Sequence, residues 1–117
     1  MAIAQLNLLN LLVLRCRDIG LARAFYETVG FSFLQEQHGK GPVHYSCEDA
    51  QGVLELYPAK GEPDQAGLGF GTDDLESVFE RLKVAGYEPK DIGDGPYGLS
   101  FVVRDPDGRR VELKARG

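Results

Sequence analysis

The strongest constraint on this chain is that its sequence is written twice. From Leu11 it runs through a strand-like stretch, Asp18, an amphipathic segment, Gly30-Phe31, Gly39-Lys40-Gly41-Pro42 and Leu54-Glu55-Leu56. From Gly67 the same order returns through Asp74, Gly86-Tyr87, Gly93-Asp94-Gly95-Pro96 and Val111-Glu112-Leu113. Asp18 and Asp74 are offset by the same 56 residues as Gly30 and Gly86 (74 − 18 and 86 − 30). With 117 residues in all, there is room for one compact domain or for two small halves sharing a core. The duplication also sets Glu55 and Glu112 at equivalent positions, which makes that pair the first place to look for function.

Residues 11–17 and 68–72 read as strands, and each leads to an Asp able to cap a helix by accepting backbone N–H bonds. Ile19, Ala22, Tyr26 and Val29 then fall on one helical face, as do Leu75, Val78, Leu82 and Ala85. Each stripe ends at a glycine suited to a left-handed C-cap. Three more strands are predicted after each helix, at 31–36, 43–47 and 53–57, then at 88–92, 99–104 and 111–114. Asp105-Pro106-Asp107-Gly108 supplies a type I turn for the last hairpin. The predicted class is α+β: a single domain of two tandem β-α-β-β-β modules, about 6–58 and 67–117, joined by a Pro-containing linker at about 58–66. One helix covers only one face of a sheet, so the sheets are expected to be cupped and mixed, with the open faces closed by the other half or by a second copy in a homodimer.

Composition narrows the partners. A net charge of −5 and a pI near 5.0 argue against a phosphate-binding surface, so no nucleic-acid partner is expected. The apolar run at 6–14 is broken by Asn7 and Asn10, is too short to span a bilayer, and lacks the basic start of a signal peptide. No membrane partner and a cytoplasmic location are expected. Cys16 and Cys47 lack C-x-x-C spacing and are read as reduced core residues.

The doubled β-α-β-β-β order, Asp18 through Phe25-Tyr26 to Gly30-Phe31, and the closing Asp105-Pro106-Asp107-Gly108-Arg109-Arg110-Val111-Glu112-Leu113 resemble the vicinal oxygen chelate superfamily. That superfamily holds glyoxalase I, bleomycin-resistance proteins, fosfomycin-resistance enzymes and extradiol dioxygenases. The resemblance covers nearly the whole chain and implies a cavity lined by both modules. In its metal-dependent members, ligands come from the first and last strand of each module. Carried onto this sequence, those positions are Leu11, Glu55, Gly67 and Glu112, and Leu and Gly offer no lone pair. Two carboxylates with water suit a loosely held Mg²⁺ or Mn²⁺ better than Zn²⁺, Ni²⁺ or Fe²⁺. His38 or His44 could replace a missing ligand only if its loop or strand turned inward.

Strand alternation predicts the cavity lining. If Glu55 and Glu112 face inward, so do Val53, Tyr57, Arg110 and Lys114, while Leu54, Leu56, Val111 and Leu113 pack beneath the helices. Leu11, Val13 and Arg15 line one half, and Gly67, Gly69 and Gly71 leave space in the other. Arg15 also matches the substrate-carboxylate-binding arginine that the resemblance to glyoxalase I implies. Arg15, Arg110 and Lys114 are the cations available to the two glutamates, and Glu55 or Glu112 paired with Arg110 is a purely structural alternative. Gly39-x-Gly41 and Gly93-x-Gly95 precede strands rather than helices, so they read as mobile rim loops that bring His38 and Tyr97 to a ligand.

The leading expectation is a metal-free small-molecule-binding protein resembling bleomycin-resistance members, with no cofactor and an organic ligand in contact with Leu11, Val13, Arg15, Tyr57, Gly67, Gly69, Tyr97, Arg110 and Glu112. The alternative is a glyoxalase-like lyase, isomerase or dioxygenase in which Glu55 and Glu112 are the catalytic and metal-binding candidates.

Overall fold

The duplicated sequence folds as a duplicated structure. The computed structural model describes Leu6 and residues 9–116, so positions 7 and 8 of the apolar run and the last residue of the second module lie outside it. The first module contains β1 (Leu11–Cys16), α1 (Ile19–Val29), β2 (Leu34–Glu36), β3 (His44–Asp49) and β4 (Gly52–Pro58). The second contains β5 (Leu68–Thr72), α2 (Leu75–Val84), β6 (Gly93–Gly95), β7 (Gly98–Arg104) and β8 (Arg110–Ala115). Each module forms a four-stranded mixed sheet, ordered β1-β4-β3-β2 and β5-β8-β7-β6. The first strand of each runs parallel to the last, because the helix carries the chain back across the sheet.

Both helices begin as their sequences predict. Asp18 accepts from Leu21 N–H at 3.0 Å and Asp74 from Ser77 N–H at 3.1 Å, each satisfying a donor that the first helical turn leaves free. The apolar stripes bury Ala22, Phe25, Tyr26 and Val29 on α1 and Leu75, Val78 and Leu82 on α2. Beneath them lie Leu54, Leu56, Val111 and Leu113, the alternate residues of β4 and β8. Their neighbours in sequence therefore point to the opposite, concave face.

The modules meet through α1 and α2, and an aromatic cluster fills the seam: Phe31 lies edge-on to Phe70 at 5.0 Å, with Tyr26 beside both. Arg81 of α2 donates to the carbonyls of Thr28 and Val29 at 3.0 and 2.8 Å, satisfying acceptors that the end of α1 leaves free. The Asp105 turn forms as predicted, with Gly108 N–H donating to the Asp105 carbonyl at 2.9 Å. Its side chains do something the sequence did not suggest. Arg109 is buried and donates to Asp64, Asp105, Asp107 and the Arg15 carbonyl, while Tyr26 O–H donates to Asp105 at 2.6 Å. This network ties β1, the linker and the last hairpin together.

Two strand predictions need correction. The strand expected at 88–92 is absent, since Pro89 lacks the N–H a ladder requires, and β6 instead uses Gly93–Gly95, which had been read as a mobile loop. The strand expected at 31–36 is shortened to Leu34–Glu36, because Phe31 N–H still bonds the Tyr26 carbonyl and its ring turns into the seam. Both cysteines are free thiols. Cys16 is fully buried, and burial pushes its thiol up to about 11, leaving a poor nucleophile, whereas Cys47 is only partly covered.

Candidate functional site

Register decides which side chains share the concave face of the first sheet. β1 and β4 align Leu11 with Val53, Val13 with Glu55 and Arg15 with Tyr57. β3 sets Ser46 opposite Glu55, and β2 sets Glu36 opposite His44 and Leu34 opposite Ser46. Since Leu54 and Leu56 face the helix, all of these residues share the other face. His44 therefore turns inward, the condition under which a histidine could join the site.

The polar groups there converge on the His44 ring. His44 is almost fully buried, stacks on Tyr57 at 4.1 Å with the rings 10° apart, and lies 5.1 Å from the ring of His38. Its Nδ1 sits 3.2 Å from the Pro42 carbonyl, which can only accept, so Nδ1 carries the proton. Its Nε2 lies 3.2 Å from Tyr57 Oη, 3.4 Å from Glu36 Oε1 and 3.9 Å from Glu55 Oε2. Arg15 does not pair with either glutamate; its guanidinium lies 4.8 Å above the Tyr57 ring.

On the second sheet, Gly69 is opposite Glu112 and Gly71 opposite Lys114, with Val102 and Ser100 on the other side. A Cβ at Gly67 or Gly69 would meet nothing within 4 Å, so the glycines leave the open wall that alternation predicts. Glu112 lies 3.9 Å from Arg110 Nη2, at the outer limit of an ion pair and half-exposed, which contributes about 0–1 kcal/mol. Tyr97 is exposed beside Lys114, whose Nζ lies 5.5 Å from its ring.

These residues fall into three groups. Leu11 and Gly69 line a hollow of about 220 Å³ at the module seam, with Phe31, Val53 and Phe70. Arg110 and Glu112 line a second, of about 280 Å³, with Gly93, Gly95 and Ser100. Arg15, His44, Glu55 and Tyr57 form the third, with Val13 beside Glu55 in the ladder. Neither hollow joins Glu55 to Glu112. Gly67 precedes β5.

The donor set does not fit a metal shared by Glu55 and Glu112. Every concave-face position of β1 is Leu11, Val13 or Arg15, and of β5 Gly69 or Gly71, so neither first strand offers a lone pair. This holds whichever first-strand residue is taken as the ligand position. A different grouping has ligand chemistry: Glu36, His38 and His44 place one potential ligand atom each within 4.8 Å of the others. The signal for it in the sequence is Glu36 closing a strand, His38 two residues on in the turn, and a following strand that returns His44.

Comparisons agree with this architecture. A solved antibiotic-binding protein, TnmS3 from Streptomyces sp. CB03234, is 27% identical over 100% of this chain and 99% of its own, with a TM-score of 0.77. A bleomycin-binding protein solved with bleomycin is 20% identical, covering 93% of this chain and 98% of its own at a TM-score of 0.70, and shares the fold. A lactoylglutathione lyase from Agrobacterium tumefaciens shares it equally, at 21% identity, 95% coverage of both chains and a TM-score of 0.70. No curated protein matches the sequence. No helix among the described residues is long and apolar enough to cross a membrane. The sequence model of one family matches residues 8–113, nearly the whole of both modules, and the chain therefore belongs to the Glyoxalase/Bleomycin resistance protein/Dioxygenase superfamily.

Proposed function

We propose that this protein binds a small organic molecule against the concave faces of its sheets, holding it by shape, apolar contact and charge, with no metal between Glu55 and Glu112. The observation that carries this reading is the composition of the first strands: apolar Leu11 and Val13 on one, and on the other Gly69, which leaves open space, beside Gly71, over which the Arg116 side chain lies. Such walls give a ligand surface and room but no Lewis acid. Arg15 over Tyr57, Tyr97, Arg110 and Glu112 supply polar and aromatic contacts at the edges. The antibiotic-binding neighbour, alike over its full length, supports the same class of ligand. A homodimer is the assembly we assign, because each concave face is uncovered by its own helix, and we place the protein in the cytoplasm. The alternative, a lyase, isomerase or dioxygenase using Glu55 and Glu112 on one metal, would need donors that both first strands lack.

The test is a thermal-shift screen of metal-stripped protein against aromatic and cationic antibiotics and aromatic metabolites. A true ligand at a hundredfold over its Kd stabilises by about 2.7 kcal/mol. Gly69→Leu fills the open wall and should abolish that shift while the unliganded protein stays folded, since the added side chain starts in empty space. No shift with any compound, or a shift that survives Gly69→Leu unchanged, would sink the reading.

A further inference from the structure

We propose that the first module binds a divalent transition-metal ion through His44 Nε2, a ring nitrogen of His38 and a carboxylate oxygen of Glu36, at a site distinct from the Glu55 and Glu112 positions. It goes beyond the ligand-binding reading and does not depend on it.

The site is built by the β2–β3 hairpin. Glu36 and His44 are direct cross-strand partners, a spacing that brings Cβ atoms to about 5 Å. The connecting turn is closed, with Gly41 N–H donating to the His38 carbonyl at 2.9 Å and Gln37 Nε2 donating to the Gly41 carbonyl at 2.9 Å. Gly39 provides the left-handed residue, with φ 59°. The turn thereby holds His38 beside His44, although His38 itself is exposed.

His44 is prepared as a ligand. Its Nδ1 proton goes to the Pro42 carbonyl, which fixes the ring and directs the Nε2 lone pair to the concave side; a ligating histidine usually has such a partner. Glu36 Oε1 is 3.4 Å from that Nε2, and two ligands on a tetrahedral Zn²⁺ are separated by about 3.4 Å. With Nδ1 donating, Nε2 presents its lone pair to the Tyr57 hydroxyl and to two carboxylates, Glu36 and Glu55. A cation between them offsets that repulsion. An ion takes up all three side chains. Tyr57 Oη, now at Nε2, gives up that contact when the ion binds. Three protein ligands would leave a fourth position open, and Glu55 Oε2 lies 3.9 Å from Nε2. Two imidazoles and one carboxylate suit Zn²⁺, Co²⁺, Ni²⁺ or Fe²⁺ rather than Mg²⁺.

The experiment titrates the chelator-stripped full chain with Zn²⁺ and Co²⁺ alone, without any organic ligand. One ion per chain is expected, with the intense visible absorption of tetrahedral Co²⁺, bleached by Zn²⁺. Removing an outer-shell partner typically weakens metal binding by about 10–100-fold, so loss of a direct ligand in His38→Ala or Glu36→Gln should weaken it by at least about 10-fold. His38 lies in an exposed turn, so that variant tests the site even if replacing the buried His44 prevents folding. Glu112→Gln should leave affinity unchanged. Substoichiometric binding, His38→Ala without effect, or Glu112→Gln as damaging as Glu36→Gln would overturn the proposal. Because the ligand screen uses stripped protein and this titration uses metal alone, either idea can fail without the other.

Discussion

At the scale of single residues, Arg109 holds the molecule together in a way no local pattern discloses. Its guanidinium is buried among three carboxylates, and Asp105 and Asp107 are nearly as buried as it is. Such a group is stabilising only while complete, because each charge has lost its water and relies on the others. Arg109→Met is therefore expected to lower unfolding free energy by about 3–5 kcal/mol, read from urea denaturation, since it strands buried carboxylates. The same network predicts the acid limit of the fold. Burial raises the Asp64 carboxyl, but hydrogen bonds from Arg109 and the Arg15 N–H outweigh it and hold the group below the ordinary carboxylate range. A depressed folded pKa adds stability above the unfolded value of about 3.9 and loses it as pH falls through the folded one. Wild type should therefore lose stability in acid more steeply than Asp64→Asn, and equal slopes would show that Asp64 plays no part. The Asp105 turn was readable from the sequence, but its burial was not. Charged residues in a Pro-Gly turn normally face water, and the partners that bury this one lie 45 and 94 residues away.

At the scale of elements, most of the fold was legible because local chemistry and global packing agree. Both helices start at their Asp and bury most of the stripe that a 3.6-residue period assigns them, with Ile19 half-buried and Ala85 exposed just past the end of α2, and the alternation of β4 and β8 separates core aliphatic residues from concave-face glutamates. Asp18→Ala removes the acceptor for Leu21 N–H and should cost about 1 kcal/mol in thermal or urea unfolding, with Asp18→Asn retaining most of it. An unchanged midpoint for the alanine variant would mean that tertiary packing alone fixes the start of α1. The strand at 88–92 was misread because the order repeated from the first module was weighed above Pro89, and the ladder moved to glycines whose lack of side chains hid them from pattern reading. The His44 cluster was half legible. Glu36 and His38 stand two residues apart, but His38 is seated by the turn, and bringing His44 back to Glu36 depended on a hairpin register that the sequence left open.

At the scale of the whole molecule, the chain is less compact than its length allows. Its radius of gyration is 15.4 Å, against about 13 Å for a compact domain of this size. Its shortest dimension is 23 Å, roughly one sheet plus one helix layer with their side chains, so among the described residues no second layer covers the concave faces, although side chains such as His38 and Tyr57 shield His44. Leu11 and Leu34, both on the concave side of the first sheet, are 47% and 74% exposed. Apolar residues gathered on an uncovered sheet face are unfavourable in water, and a second copy of a duplicated module is a natural cover. A dimer closed over these faces would also turn the shallow hollows at the seam and beside Glu112 into an enclosed ligand cavity. Sedimentation should then report the mass of two chains, and the midpoint of thermal unfolding should rise with protein concentration as mass action requires. A single-chain mass together with a midpoint unmoved over a hundredfold concentration range would leave each concave face open to solvent. In that case ligand binding, if retained, would have to be weak and confined to one wall.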